Sequence, residues 1–374
     1  MRHLKALTFG TAVSALALIP AIAPAGEIQE VDGFMLETVA EGLDFPWCVA
    51  FLPDGDMLVT ERRGKLFRVN SSGEKTEIAG VPTVLHDRQG GLFDVMLSPD
   101  FDETGTLFLS YASGSKSANR TSVMRAQLDG NQLVNGKVIF AASPDKATSV
   151  HFGGRMVTLP DGSIVLTLGD GFRYREEAQK LSSDLGTVVR FNPDGSIPDD
   201  NPFVNTDGAR PEIYSYGHRS VQGLVYDAPT NTLWSHEHGA QGGDELNLET
   251  PGGNYGWPLA TTGIDYTGAK ITPFKHYPGT EKFTYDWVPS IAPSGMVRYR
   301  GALIPEWNGD FLVGGLASMD VRLLETDDNA VVAEHILFEE LEERIRDLRT
   351  GPDGAVYMLT DSDEGRLIRI SPGK

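Results

Sequence analysis

The chain has 374 residues, with 32 Lys and Arg against 52 Asp and Glu, a formal charge of -20. So acidic a surface argues against binding nucleic acid or anionic lipid and suits a protein that handles divalent cations. Cys48 is the only cysteine, which excludes an intrachain disulfide, and its place in FPWCVAF reads as a buried thiol. Glycine at 42 positions and proline at 22 punctuate the chain too often for a helical bundle.

Residues 1 to 25 read as a secretory signal. Arg2 and Lys5 open it, an apolar run follows from about Ala12 to Ala23, and Ala23-Pro24-Ala25 offers small residues to a signal peptidase. Cleavage is expected after about Ala25, leaving one domain over 26–374 and, with two cations gone, a charge of -22. No later run reaches the ~20 apolar residues that a membrane span requires. The expected product is an exported protein without a span.

Six segments then repeat one grammar, a tight turn followed by an alternating strand: FLPDGDMLVTE, LSPDFDETGTLFLSY, LPDGSIVLTLGD, YDAPTNTLWSHE, WNGDFLVGG and GPDGAVYMLTD. Their markers Asp54, Asp100, Asp161, Asp227, Asp310 and Asp353 stand 43 to 83 residues apart, irregular but centred near the length of a four-stranded blade with some long loops. The pattern predicts an all-β six-bladed β-propeller of four-stranded antiparallel blades. A β-sandwich of repeated hairpins is the alternative.

A propeller brings equivalent strand positions to one central channel, so polar residues that precede each turn by a similar count should meet. His151 and Arg219 precede their turns by about ten residues, Gln89 precedes Asp100 by eleven, and Arg344 and Arg346 precede Asp353 by nine and seven. One imidazole, one amide and three guanidiniums on one rim make a pocket for something anionic and planar. In HFGGRMVTLPDGSIVLTLGDG the hairpin count also brings His151 and Asp170 to the same end. That pair reads either as a general base held by a carboxylate or as a satisfied structural histidine.

The same count sets Arg219 near Gly239 and Ala240. The neighbouring Asp244 and Glu245, with the Gly-rich loop 252–256, favour a cation such as calcium, although the spacing is not that of an EF-hand and a solvated acidic loop is the more common meaning of such a run. Arg344 and Arg346, two apart on a strand, share a face and require an anion between them. The aromatics of GLDFPW, YGW and YDW read as core. No Walker loop, GxSxG elbow, HExxH or CxxC pattern is present.

Taken in order, GLDFPWCVAFLPDGDMLVTER, QGGLFDVMLSPDF, HFGGR, LGDG, YGHRSVQG, EHGAQGGDELN, GGNYGWP and RIRDLRTGPDGAVYMLTD resemble the soluble quinoprotein glucose and aldose sugar dehydrogenases, the glucose/sorbosone dehydrogenase family, from about Gly42 onward. The aldose branch is the better match. The resemblance implies a periplasmic enzyme using pyrroloquinoline quinone (PQQ) and Ca2+ to oxidise aldose sugars at C1 to lactones, passing electrons to an acceptor the sequence does not identify.

It implies that His151 is the base, Asp170 its orienting partner, and Arg219 the stabiliser of charge on the quinone. Gln89, Arg219, Arg344, Arg346 and Tyr266 would hold the cofactor. Gly239 and Ala240 would offer carbonyls to one calcium, and Glu245 with the Tyr255 carbonyl would match a second. Two departures touch the cofactor: Ser220 stands where the family has Asn, and Ala317 where the glucose branch has Lys. A calcium-dependent propeller lactonase, with acids on the channel axis, and a non-catalytic binding propeller are the rivals.

Overall fold

The computed structural model describes residues 28–373; the signal expected over residues 1–25 lies outside them. Six antiparallel sheets share one plan, a meander that starts at the centre and works outward. Blades 1 to 6 open with the inner strands Pro46–Phe51, Leu92–Leu97, Gly153–Thr158, Val221–Asp227, Pro293–Arg298 and Ile345–Thr350. Each inner strand packs on the next, and the sixth returns to the first, so the ring closes. All six marker aspartates fall between the first and second strands of a blade, or at the end of the first.

Blade 6 has a different ending. Its outer position is filled by Phe34–Leu43, antiparallel to Gly365–Pro372, with Ile28–Val31 adding a fifth strand outside. Residues from both ends of the described chain thus share one hydrogen-bonded sheet, which ties the ring shut without a covalent link.

Burial is greatest in the second strands and least at the outer edge. The second strands Met57–Glu61, Ile164–Leu168 and Phe311–Gly315 are buried at every residue, whereas the outer strand Lys75–Glu77 is exposed throughout. The alternation of Ile164, Leu166 and Leu168 therefore does not mark a wet face. Those three pack toward Phe108 and Val123 of blade 2, while Val165 packs toward Leu224 and Leu233 of blade 4. Blades stack face to face, so a central strand has two dry sides.

One irregularity recurs in all six blades: the inner strand slips register against its neighbour at its first residues, as at Pro46/Cys48, Gly153/Met156 and Ile345/Asp347. Such bulges re-aim side chains at barrel rims and leave ladder groups without partners. Hydroxyls of the preceding blade fill the gap. Thr60 Oγ1 donates to the Phe93 carbonyl at 2.6 Å, Ser110 Oγ to Gly154 at 2.5 Å, and Ser294 Oγ to Ile345 at 2.6 Å. The mouth of the channel is thus held by bonds between blades. No helix among the described residues is long and apolar enough to cross a membrane.

Candidate active site

At one mouth of the channel, above the bulges, lies a cavity of about 280 Å³. Gln89, Ser220, Arg344 and Arg346 line it, together with Arg62, Gln222, His238 and the apolar walls Trp47, Phe93, Phe152 and Leu316. His151, Arg219 and Tyr266 are not in that lining; they adjoin it through bonded neighbours. The Gln89 side chain makes the link, since its Oε1 accepts the His151 backbone N–H at 2.7 Å.

His151 sits in the left-handed region, φ 50°, immediately before the bulge that opens blade 3. Its Nδ1 is 2.6 Å from Asp170 Oδ1 across the hairpin. That oxygen also accepts the Phe172 N–H at 2.6 Å, and Oδ2 accepts Trp257 Nε1–H at 2.8 Å. Asp170 is fully buried and acts as an acceptor toward each partner. Nδ1 of His151 therefore carries its proton, leaving the lone pair on Nε2. Burial lowers the His151 pKa, the Asp170 hydrogen bond and charge oppose this, and Arg219 and Lys146 add to the lowering; the net direction is down. The imidazole is neutral at neutral pH, as a proton acceptor must be.

The arginines divide into three kinds. Arg344 and Arg346 grip one carboxylate: Arg344 Nη2 lies 3.0 Å from Asp361 Oδ2 and Arg346 Nη2 3.1 Å from Asp361 Oδ1. The anion expected between them is therefore, in part, the chain's own Asp361. Burial would raise the Asp361 pKa, but Arg346 and Arg344 outweigh it and hold the group below its usual range. Arg62 faces the same cavity with its buried Nε unbonded. Arg219 turns away toward backbone oxygens, donating from Nη1 to the carbonyls of His238 and Gly239. Its Nη2 lies 3.5 Å from the hydroxyl of Tyr266, a residue 63% exposed on the long loop of blade 4.

Behind Arg219 is an acidic pocket. Glu237, Glu245, Gly239 and Tyr255 border a void of about 10 Å³, room for a single water or ion. Burial, then the charges of Glu237 and Asp286, push Glu245 well above its ordinary pKa. Glu237 accepts from His218 Nδ1 at 2.8 Å. Ala240 is not in the lining of this void. No group of three or more His, Cys, Asp or Glu side chains among the described residues converges as a metal cage, so a cation here would lean on backbone oxygens. Ser220 is buried and Ala317, beside cavity-lining Leu316, is exposed.

Several site residues escaped the sequence reading. Arg62, His238 and Asp361 follow the second strand of their blades, as Asp170 does, eight to eleven residues after the marker aspartates. Counting forward from each turn as well as backward would have found them. His238 donates from Nε2 to the Pro293 carbonyl at 2.6 Å, because a carbonyl is only an acceptor. Two aromatics read as core also serve the site: Trp47 walls the cavity and Trp257 holds Asp170. Cys48 is buried as expected, in the apolar cluster with Trp47, Leu58 and Val95, and its Sγ also faces Asp94 Oδ1 at 2.7 Å.

A propeller whose mouth joins a buried imidazole–carboxylate pair to an arginine-lined cavity has the architecture of an enzyme. Comparison with known proteins gives the chemistry. The family model described as Glucose / Sorbosone dehydrogenase matches residues 43–369, and the chain belongs to that family. It is 40% identical over 344 residues to aldose sugar dehydrogenase YliI of Escherichia coli, covering 90% of this chain and 92% of that one. The crystal structure of the apo-form soluble aldose sugar dehydrogenase from Escherichia coli superposes with a TM-score of 0.88 at 39% identity, covering 91% and 99% of the two chains. The PQQ-bound aldose sugar dehydrogenase of Streptomyces coelicolor gives 0.75 at 29% identity, covering 91% and 99%. The protein is thus an oxidoreductase of the sugar dehydrogenase type.

Proposed function

We propose that this protein is a periplasmic, PQQ- and calcium-dependent aldose dehydrogenase that converts the C1 hydroxyl of a sugar to a lactone. The observation that carries the reading is Gln89, which lines the cavity while holding the backbone of His151. Proton acceptor and cofactor cavity are thereby fixed to one another. The signal-like residues 1 to 25 support export.

The cavity suits a flat polyanion. Arg62, Arg344 and Arg346 all line it, while Asp361 is the one carboxylate with which Arg344 and Arg346 pair. Gln89 and Ser220 add polar edges, while Trp47, Phe152 and Leu316 offer apolar faces to a ring. For calcium, Glu245, Gly239 and Tyr255 border the small void and would supply hard oxygens, a carboxylate and two backbone carbonyls, and Ala240, outside its lining, would have to reach it by its own carbonyl. Bound there, PQQ with its calcium would supply the acceptor for the hydride that leaves C1.

The chain's own part is proton handling. His151 Nε2 takes the proton of the anomeric hydroxyl as the C1–H bond breaks, so that the C–O single bond becomes the lactone carbonyl. Asp170, locked by Trp257 and the Phe172 amide, keeps Nδ1–H in place and stabilises the imidazolium that forms. Arg219 keeps a positive charge beside the reacting centre. Electrons then pass to an acceptor not yet identified.

Reconstitution with PQQ and calcium, assayed on aldoses with an artificial acceptor, is expected to yield lactone. His151→Gln should lower kcat by roughly 10²–10⁴-fold while PQQ binding is kept. Wild-type turnover in that variant would remove His151 from the role, and an inert reconstituted wild type would remove the reading itself.

A further inference from the structure

Lys146 is a buried cation that the proton chemistry leaves unused. Only 2% of it is exposed, yet it lies in the loop that delivers His151 from blade 2 to blade 3. Its backbone is pinned to blade 2, exchanging N–H···O bonds of 2.9 Å with Asn119 in both directions. From there Nζ turns back under the loop and donates to the Thr148 carbonyl at 2.7 Å, the Val150 carbonyl at 3.0 Å and Asn119 Oδ1 at 3.0 Å. Three acceptors match the three N–H groups of an ammonium. The fourth side is the face of Phe152, whose ring centroid is 3.3 Å away.

The Val150 carbonyl belongs to the peptide whose N–H is that of His151. This peptide is therefore clamped at both ends, its oxygen by Lys146 and its nitrogen by Gln89. The clamp opposes a real cost, because a non-glycine residue at positive φ is disfavoured by about 1–3 kcal/mol unless its surroundings impose it. Gly171 completes the fit: a Cβ there would stand 2.7 Å from Lys146 Cδ. The loop after Asp170 thus makes room for the lysine that supports the loop before it.

We propose that Lys146 is a positioning residue for His151, holding the imidazole in its left-handed seat through the Thr148 and Val150 carbonyls and placing an ammonium group behind it. The charged and titratable groups facing His151 are Asp170 at Nδ1, Arg219, His238 and Lys146 itself. Asp170 favours the imidazolium; Arg219 and Lys146 disfavour it. Burial brings the Lys146 pKa down to about 7 against the raising charge of Asp170, so the ammonium keeps its charge through the more acidic range in which His151, lowered from its ordinary value, takes up a proton.

The inference rests on His151 as the base, and its test is separable from the cofactor reading. His151 is titrated by NMR in the apoprotein, its signal assigned with His151→Gln, in wild type, Lys146→Met and Lys146→Arg. In Lys146→Met the imidazole should titrate at a higher pH than in wild type. In Lys146→Arg, where the charge remains, it should titrate close to wild type. With PQQ and calcium added, Lys146→Met should lose roughly tenfold or more in kcat, as expected when a reacting group is displaced, with KM changed far less. An unchanged His151 titration in Lys146→Met overturns the proposal, as does wild-type turnover in that variant. Should Lys146→Met fail to fold, Lys146→Arg decides: a titration shifted upward despite the retained charge overturns the proposal. A wild type that never oxidises aldoses would sink the dehydrogenase mechanism and leave the titration comparison intact.

Discussion

The mouth of the channel and its interior are built from the same six inner strands, yet they handle charge in opposite ways. In the interior, Arg155 and Arg349 meet Asp94 and Asp347 two against two. Arg155 is 2.8 Å from Asp347, Arg349 is 3.0 Å from Asp94 and 3.1 Å from Asp347, and a longer approach of 4.0 Å between Arg155 and Asp94 completes the ring of four. At the mouth, Arg344 and Arg346 share the single carboxylate of Asp361, and Arg62 lines the same cavity. A balanced buried set is complete in itself. A set with cations in excess is complete only when an anion arrives, and that difference separates plug from binding site.

The contrast can be broken at either end. The largest expected effect is in the interior: Arg155→Met leaves Asp347 without its closest cation and should cost about 3–5 kcal/mol in urea unfolding. At the mouth, Arg346→Gln should weaken PQQ binding by roughly 10- to 100-fold, the worth of a charge-assisted hydrogen bond of about 1.5–3 kcal/mol. It should affect stability far less, because Arg344 still covers Asp361. Calorimetric titration and urea melts on the same preparation separate the two.

A subtler outcome concerns pH. The His151 pKa is lowered in the folded protein, so the proposed base stays deprotonated to more acidic values than a free imidazole does. Activity should be lost only as pH falls through that lowered value, and the acid limb of kcat/KM should lie below the ordinary histidine pKa of about 6.5. The same shift means the unfolded chain binds the proton more readily, so this group's contribution to stability declines as pH drops below about 6.5. An acid limb above that value would contradict the account of the base. The smallest change is Trp257→Phe, which removes one donor from Asp170 and should lower kcat only several-fold, as loss of a hydrogen bond of about 1 kcal/mol predicts; steady-state kinetics at saturating sugar reads it.

Much of this was legible in the sequence for a simple reason. Turns carry their own signature, and a hairpin fixes register, so the count around Asp161 sufficed to bring His151 opposite Asp170. The six marker aspartates located every first hairpin. What stayed hidden lies beyond local pairing. That Phe34–Leu43 completes blade 6 is a contact across the whole chain, with no local signal. Trp257 reaches Asp170 from the 250–284 segment between two outer strands of blade 4, whose path no periodicity encodes. Asp361 was unforeseen because the sequence shows that Arg344 and Arg346 share a face, but not which group neutralises them.

The central claim is that an excess of guanidinium at the mouth binds a planar polyanion beside His151. Titrating the apoprotein with PQQ by calorimetry, in wild type and in an Arg344→Gln/Arg346→Gln double variant, tests it most directly. One molecule should bind per wild-type chain, with affinity reduced at least 100-fold when both charges are removed. Equal affinity in the two proteins, or no binding to wild type, would contradict it.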